Sequence, residues 1–119
     1  MQETLEVRVR HEGKVGVLEC EGYINNMGGE KVAEVCYGLI DEGIKHFILN
    51  LAKVRIINSI GISILIEIIE KLKELDGGVV FCCAEPTIAK TFRIMGLLKT
   101  ASLHETEEEA LKEVGDAAG

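Results

Sequence analysis

The sequence of 119 residues is poor in several residue types, and each shortage argues against a class of protein. Tryptophan is absent and aromatic residues make up only 4%, so aliphatic side chains must fill the core. Basic residues number 13 against 20 acidic ones, and the resulting charge of −7 disfavours nucleic-acid phosphates and anionic lipids. No apolar run approaches the roughly 20 residues that cross a bilayer. We therefore expect a protein that binds no nucleic acid and does not insert into membranes.

The N-terminus and the cysteines indicate a reducing compartment. Met1 to Glu6 lack the basic and apolar regions of a signal peptide, which predicts a cytoplasmic location. The chain has four cysteines, none in CxxC spacing: Cys20, Cys36, Cys82 and Cys83. We expect free, buried thiols, no metal site and no cofactor. In an extended strand, adjacent Cys82 and Cys83 would project to opposite faces.

Hydrophobic periodicity predicts one α/β domain over residues 1–119. The predicted strands are 5–10, 15–21, 47–51, 79–83 and 101–104, and the predicted helices are 30–42, 60–76, 86–95 and 106–114. Residues 22–29 are rich in glycine and asparagine and predict a loop, and 115–119 predict a flexible tail. The expected fold is a single mixed β-sheet with an N-terminal hairpin and βαβ units, with about four helices packed on it.

Asn58 and Ser59 lie where a predicted strand gives way to a helix. Both are preferred N-cap residues, so one interpretation is that they only satisfy backbone donors at the start of the helix. The other is a binding site, because ligands and partners bind where parallel strands end and helices begin. Ile60 and Ile64 fall at the margin of the polar arc of this helix. They predict an exposed apolar rim beside Ser59, unless a neighbouring helix covers them.

Motifs for catalysis are missing from the sequence. Ile57 stands where a nucleophile elbow centred on Ser59 would need glycine, and no histidine can be assigned as its base. The phosphate-binding patterns GxxxxGK[ST] and GxGxxG do not occur. We therefore predict no catalytic residues and expect a binding protein, not an enzyme.

Four segments and one proline resemble a known family: Phe47-Ile-Leu-Asn-Leu51, Ile57-Asn-Ser-Ile-Gly-Ile62, Gly77-Gly-Val-Val-Phe81, Ile94-Met-Gly-Leu97 and Pro86. They resemble the STAS domain of bacterial anti-sigma factor antagonists, over roughly residues 5–114. In that family an Asp-Ser-x-Gly motif follows the third strand, and its serine is the regulatory phosphorylation site. Ser59 occupies the position of that serine, so the resemblance implies that Ser59 is phosphorylated.

The resemblance also implies a partner-switching mechanism that regulates transcription. The unmodified protein would bind an anti-sigma factor that is also a serine kinase of the histidine-kinase ATPase type. Phosphorylation of Ser59 would release this partner, and a PP2C-type phosphatase would restore binding. The predicted partner-binding residues are Asn25, Asn26, Met27, Asn58, Ile60, Gly61 and Ile64.

The chain differs from the family pattern at two places near this surface. Asn58 replaces the usual aspartate, and Tyr23-Ile24-Asn25 stands where the family often has Glu-Ile-Asp. The alternative function is a non-switching STAS adaptor or scaffold subunit, of a lipid-transport ATPase or a stressosome-like complex. In such a protein Ser59 would serve only as a helix cap.

Overall fold

A mixed five-stranded sheet organises the computed structural model, which describes residues 4–118. Its strands lie in chain order: β1 (Leu5–Glu12), β2 (Val15–Ile24), β3 (His46–Ile57), β4 (Gly78–Cys82) and β5 (Ser102–His104). β1 pairs antiparallel with β2, and all later neighbours are parallel. The helices are α1 (Asn26–Asp41), α2 (Ser59–Glu74), α3 (Pro86–Ile94) and α4 (Glu107–Ala118), with a 3-10 turn at Leu97–Lys99. The predicted fold class is confirmed.

The two faces of the sheet carry cores of unequal size. The larger cluster joins β1 to β4 with the buried sides of α1, α2 and α3, and it includes an edge-to-face contact between Phe81 and Phe92 with ring centroids 5.1 Å apart. The smaller cluster lies under α4, where Ala110 and Val114 pack on strand residues such as Ile48. Aliphatic burial of this kind stabilises the fold by about 25 cal/mol per Å². None of the helices within residues 4–118 is long and apolar enough to cross a membrane.

Two predicted element boundaries near Ser59 are wrong. Residues 22–29 are not a loop, because β2 continues to Ile24 and α1 begins at Asn26. Gly28 and Gly29 are buried near the start of α1. β3 runs to Ile57 instead of ending at Leu51, since its second half still pairs with β2 after β4 has ended.

The expected tail from residue 115 is helical as far as Ala118, and Gly119 lies outside the described residues. Ala110, Val114 and Ala118 recur every four residues, so they share one side of α4. All three pack on the smaller cluster. This apolar contact explains why the helix continues through Gly115, a residue that weakens a helix by about 1 kcal/mol.

The prediction that Cys82 and Cys83 point to opposite faces is also wrong. β4 ends at Cys82, and Cys83 adopts the left-handed backbone conformation, with φ of 65°. Cys82 is buried in the smaller cluster and Cys83 packs against the same cluster. All four thiols are free, as expected, and Cys83 is the one that is only partly buried.

Candidate functional site

Ser59 is the first residue of α2, immediately after the end of β3. The preceding residue, Asn58, has an extended backbone and caps the helix: its side-chain oxygen accepts a hydrogen bond from the Gly61 N–H at 2.8 Å. The Asn58 carbonyl accepts the first bond of the helix from the Ile62 N–H at 3.0 Å. Asn58 therefore fulfils the capping role, which leaves Ser59 exposed at the surface.

A second strand-to-helix junction, between β2 and α1, lies beside the first. Asn25 caps α1 by accepting a hydrogen bond from the Gly28 N–H at 2.9 Å. The parallel register pairs Ile24 with Ile57, so the two strands end side by side. The Asn58 N–H donates to the Ile24 carbonyl at 3.2 Å and joins the two junctions directly.

Glycines allow the two helices to start this close together. A Cβ atom on Gly61 would lie 2.1 Å from the Ile24 carbonyl oxygen, and one on Gly29 would lie 3.4 Å from the Gly61 Cα. Gly61 is buried. Its position gives it a structural role, because it lets α2 lie against the end of β2. Its predicted contact with a partner stays a prediction.

The predicted apolar rim is only half correct. Ile60 is 55% exposed, as expected, but Ile64 is only partly exposed and packs against the larger cluster. A Cβ atom on Gly29 would lie 2.9 Å from the Cδ1 atom of Ile64, so α1 covers the Ile64 side chain. Met27, in the first turn of α1, is 69% exposed.

Ile56 is an exposed apolar residue near the end of β3 whose exposure the sequence pattern does not predict. It is 50% exposed, at the end of β3 and paired with Tyr23 of β2. Because the strand was predicted to end at Leu51, the direction of the Ile56 side chain could not be inferred. Strict alternation would place Ile56 on the same side as the buried Val54, so its exposure follows from the register shift in the β2–β3 pairing between these two residues.

We call the surface formed by Asn25, Asn26, Met27, Asn58, Ser59 and Ile60 the two-helix surface. It carries no charged side chain, although the whole chain has a net charge of −7. The first turns of α1 and α2 contain no acidic residue, whereas α4 begins with Glu107, Glu108 and Glu109. The positive ends of the α1 and α2 dipoles are therefore not offset by carboxylates in the same turns.

The two-helix surface offers a hydroxyl group beside apolar side chains. Among residues 4–118 no side chain makes a hydrogen bond to the Ser59 hydroxyl, while Ser63 Oγ donates to the Ser59 carbonyl at 3.0 Å. No cluster of His, Cys, Asp or Glu in the described part of the chain could hold a metal ion. Such a surface can bind a partner protein and can present Ser59 to a modifying enzyme.

Comparison with known proteins gives consistent family and fold assignments. The curated protein BtrV of Bordetella bronchiseptica, provisionally named an anti-sigma factor antagonist, is 23% identical over 90 residues, or 76% of this chain and 78% of BtrV. The crystal structure of an anti-sigma factor antagonist from Mycobacterium paratuberculosis superposes with a TM-score of 0.84 at 23% identity, covering 96% of this chain and 97% of that one.

The anti-sigma factor antagonist SpoIIAA of Bacillus is similar to this chain in an unphosphorylated and in a phosphorylated form. Its unphosphorylated form matches with a TM-score of 0.78 at 19% identity, covering 93% of this chain and 97% of SpoIIAA. Its phosphorylated form matches with a TM-score of 0.71 at 21% identity, covering 92% and 99%. The sequence profile of the STAS domain matches residues 6–110. The chain therefore belongs to the STAS domain family.

Proposed function

We propose that this protein is an anti-sigma factor antagonist that binds its partner through the two-helix surface and is switched off by phosphorylation of Ser59. The observation that carries the proposal is the position of Ser59: an exposed serine at the start of α2, followed by the exposed Ile60 and next to the junction of β2 with α1, whose first turn carries the exposed Met27. The similarity to BtrV and to SpoIIAA supports the antagonist function. SpoIIAA has been solved with and without phosphate.

The fold can accept a phosphate at Ser59 without reorganisation. A phosphoserine carries about −1.5 to −2 charges at neutral pH. The N-terminus of α2 favours negative charge through its dipole and free N–H groups, and no acidic residue lies in its first turn to repel it. Because Asn58 already caps the helix through Gly61, the phosphate does not replace an existing contact.

The same phosphate would oppose binding of a partner. Docking on the two-helix surface would bury Ile60 and Met27 together with whatever group Ser59 carries. A dianion buried in an apolar contact without a compensating cation loses its hydration, and a penalty of about 3 kcal/mol weakens binding more than a hundredfold. The switch would therefore act on the complex and leave the isolated domain folded.

The proposed partner is an anti-sigma factor that is also a serine kinase of the histidine-kinase ATPase type. Such a partner both occupies the two-helix surface and phosphorylates Ser59. A PP2C-type phosphatase would remove the phosphate and restore binding. The uncharged side chains of Asn25 and Asn58 favour a contact made of apolar packing and neutral hydrogen bonds, with little dependence on salt.

The test compares Ser59→Asp with the matched variant Ser63→Asp. Ser63 is exposed one turn further along α2, so it receives the same charge outside the proposed contact centre. Each variant is titrated against the purified kinase-type anti-sigma factors of the host by calorimetry. We expect Ser59→Asp to lose at least about a hundredfold in affinity, and Ser63→Asp to lose much less.

Thermal unfolding of the same variants separates binding from folding. An acid in the first turn of a helix stabilises it by about 0.3–1 kcal/mol, so Ser59→Asp should melt no lower than the wild type. Equal binding by Ser59→Asp and the wild type would refute the switch. That result would favour the non-switching adaptor of a transport ATPase or stressosome-like complex, in which Ser59 is only the first helical residue.

A further inference from the structure

We infer that Cys82 and Cys83 form a dithiol site for a thiophilic ligand with two exchangeable positions, of the class of the trivalent arsenicals. This site is independent of the two-helix surface, because it lies where β4 ends and the loop to α3 begins. Both cysteines are free: Cys82 is buried and Cys83 is partly exposed. The inference depends on how the backbone arranges the two side chains.

The left-handed conformation of Cys83 brings the two thiols together. Its φ of 65° lies in a region that non-glycine residues seldom adopt. The conformation is held by the Cys83 N–H, which donates to the His104 carbonyl at 3.0 Å and prolongs the pairing of β4 with β5. As a result both side chains contact the smaller cluster under α4. Burial raises the pKa of the Cys82 thiol, and the neighbouring Cys83 thiol raises it further.

The geometry favours a bridged dithiol over a direct disulfide. Adjacent Cα atoms are about 3.8 Å apart across a trans peptide, whereas disulfides usually join Cα atoms about 4.4–6.8 Å apart. A direct bond between Cys82 and Cys83 would therefore be strained. One bridging atom between the sulfurs enlarges the ring and relieves that strain, and soft sulfur ligands prefer a soft acceptor.

The reaction balances without any oxidant. Cys83, the accessible thiol, attacks the hydrated arsenical first: an arsenic–sulfur bond forms, an arsenic–oxygen bond breaks, and the thiol proton leaves with the hydroxide as water. Cys82 then closes the ring in the same way and releases a second water. Because Cys82 is buried, it reacts only after Cys83 has bound the arsenic, and its own thiol proton leaves with the second hydroxide.

The other two cysteines provide an internal control. Cys20 and Cys36 are buried in the larger cluster, on the opposite face of the sheet. Both thiols are buried, so neither offers the accessible position at which Cys83 forms the first bond to arsenic. In the folded protein they should not react, whereas unfolding exposes them.

The experiment treats the reduced, folded full-length chain with phenylarsine oxide and measures its intact mass. We expect one adduct, a phenylarsenic group in place of two thiol hydrogens, located by digestion in the peptide that contains Cys82 and Cys83. A small dithiol should remove it, whereas the same excess of a monothiol should not, because only the dithiol also forms a ring. The adduct should form unchanged on the double variant Cys20→Ala/Cys36→Ala.

The decisive variant is Cys83→Gly, since glycine adopts the left-handed conformation without strain and preserves the fold. Circular dichroism checks that the variant is folded, and the stable adduct should be lost. The inference is overturned if Cys83→Gly keeps the adduct. It is equally overturned if the folded wild type fails to react while the urea-unfolded chain does, because the thiols would then be closed to ligands in the native structure.

Discussion

Replacing Gly61 by alanine tests the contact on which the two-helix surface is built. The added Cβ would lie 2.1 Å from the Ile24 carbonyl oxygen and 2.8 Å from its carbonyl carbon. Since the obstructing atoms belong to the backbone of β2, no side-chain rotation can relieve the clash. The start of α2 must move away by about 1 Å, because real Cβ contacts are essentially never shorter than 3.0 Å.

The cost of this movement follows from the contacts that it disrupts. The hydrogen bond from the Asn58 N–H to the Ile24 carbonyl, 3.2 Å long, would be lost, at about 0.5–1.5 kcal/mol. Forcing an extra carbon into a packed site costs about 1–3 kcal/mol, and the better helix propensity of alanine returns about 1 kcal/mol. We expect a net loss of about 2 kcal/mol in the free energy of unfolding for Gly61→Ala, within a range of about 0.5–3.5 kcal/mol.

Gly38→Ala is the matched control in α1. Gly38 lies inside the helix, is exposed, and would place its Cβ in open space. This variant should gain about 0.5–1 kcal/mol from helix propensity alone. Urea unfolding followed by far-ultraviolet circular dichroism measures both changes. If Gly61→Ala is as stable as the wild type, α2 is not held against β2 as described, and the geometry proposed for Ser59 fails with it.

Two further perturbations test other parts of the fold. Asp76, just beyond α2, has a left-handed backbone with φ of 59°, which glycine adopts with less strain. Asp76→Gly should therefore raise the free energy of unfolding, measured in urea, by about 1 kcal/mol. An unchanged or lower value would contradict this. Burial raises the pKa of Cys20 from 9.0 to about 12. The folded state therefore holds the thiol proton more tightly than the unfolded state, and the resulting stability is complete below pH 9.0 and is lost as the pH rises towards 12. Alkaline urea titrations should show a shallower decline for Cys20→Ala, and an unchanged slope would argue that this thiol is not buried.

Periodicity predicted the regular elements of the larger core well. The buried strands around Phe47 and Phe81 read as short apolar runs, and α2 alternates its apolar and charged sides at helical spacing. Their type and order were therefore predictable from sequence. The boundaries failed where tertiary contacts decide the conformation. Gly28 and Gly29 predict a loop by composition, but they lie in α1, where the lack of a side chain lets the helix approach Tyr23 and Ile64.

The candidate surface was only partly predictable for the same reason. The sequence places Ser59 and Ile60 correctly at the start of a helix, since local capping residues determine that start. The burial of Ile64 depends on α1, and the exposure of Ile56 depends on how far β3 continues beside β2. Neither relation can be deduced from a local pattern. Cys83 was misjudged because its left-handed backbone interrupts the alternation expected of a strand.

The unequal lengths of β3 and β4 also bear on self-association. β3 has 12 residues but pairs with β4 only from His46 to Asn50, so its second half borders the sheet on that side. A bare strand edge next to exposed isoleucines is a template for aggregation. Here the overhanging half carries the cations Lys53 and Arg55, and the Asn50 side chain occupies the Ala52 N–H at 3.0 Å. These features discourage another copy from adding a strand at the edge that leads to Ser59, while the apolar side chains at its end stay accessible.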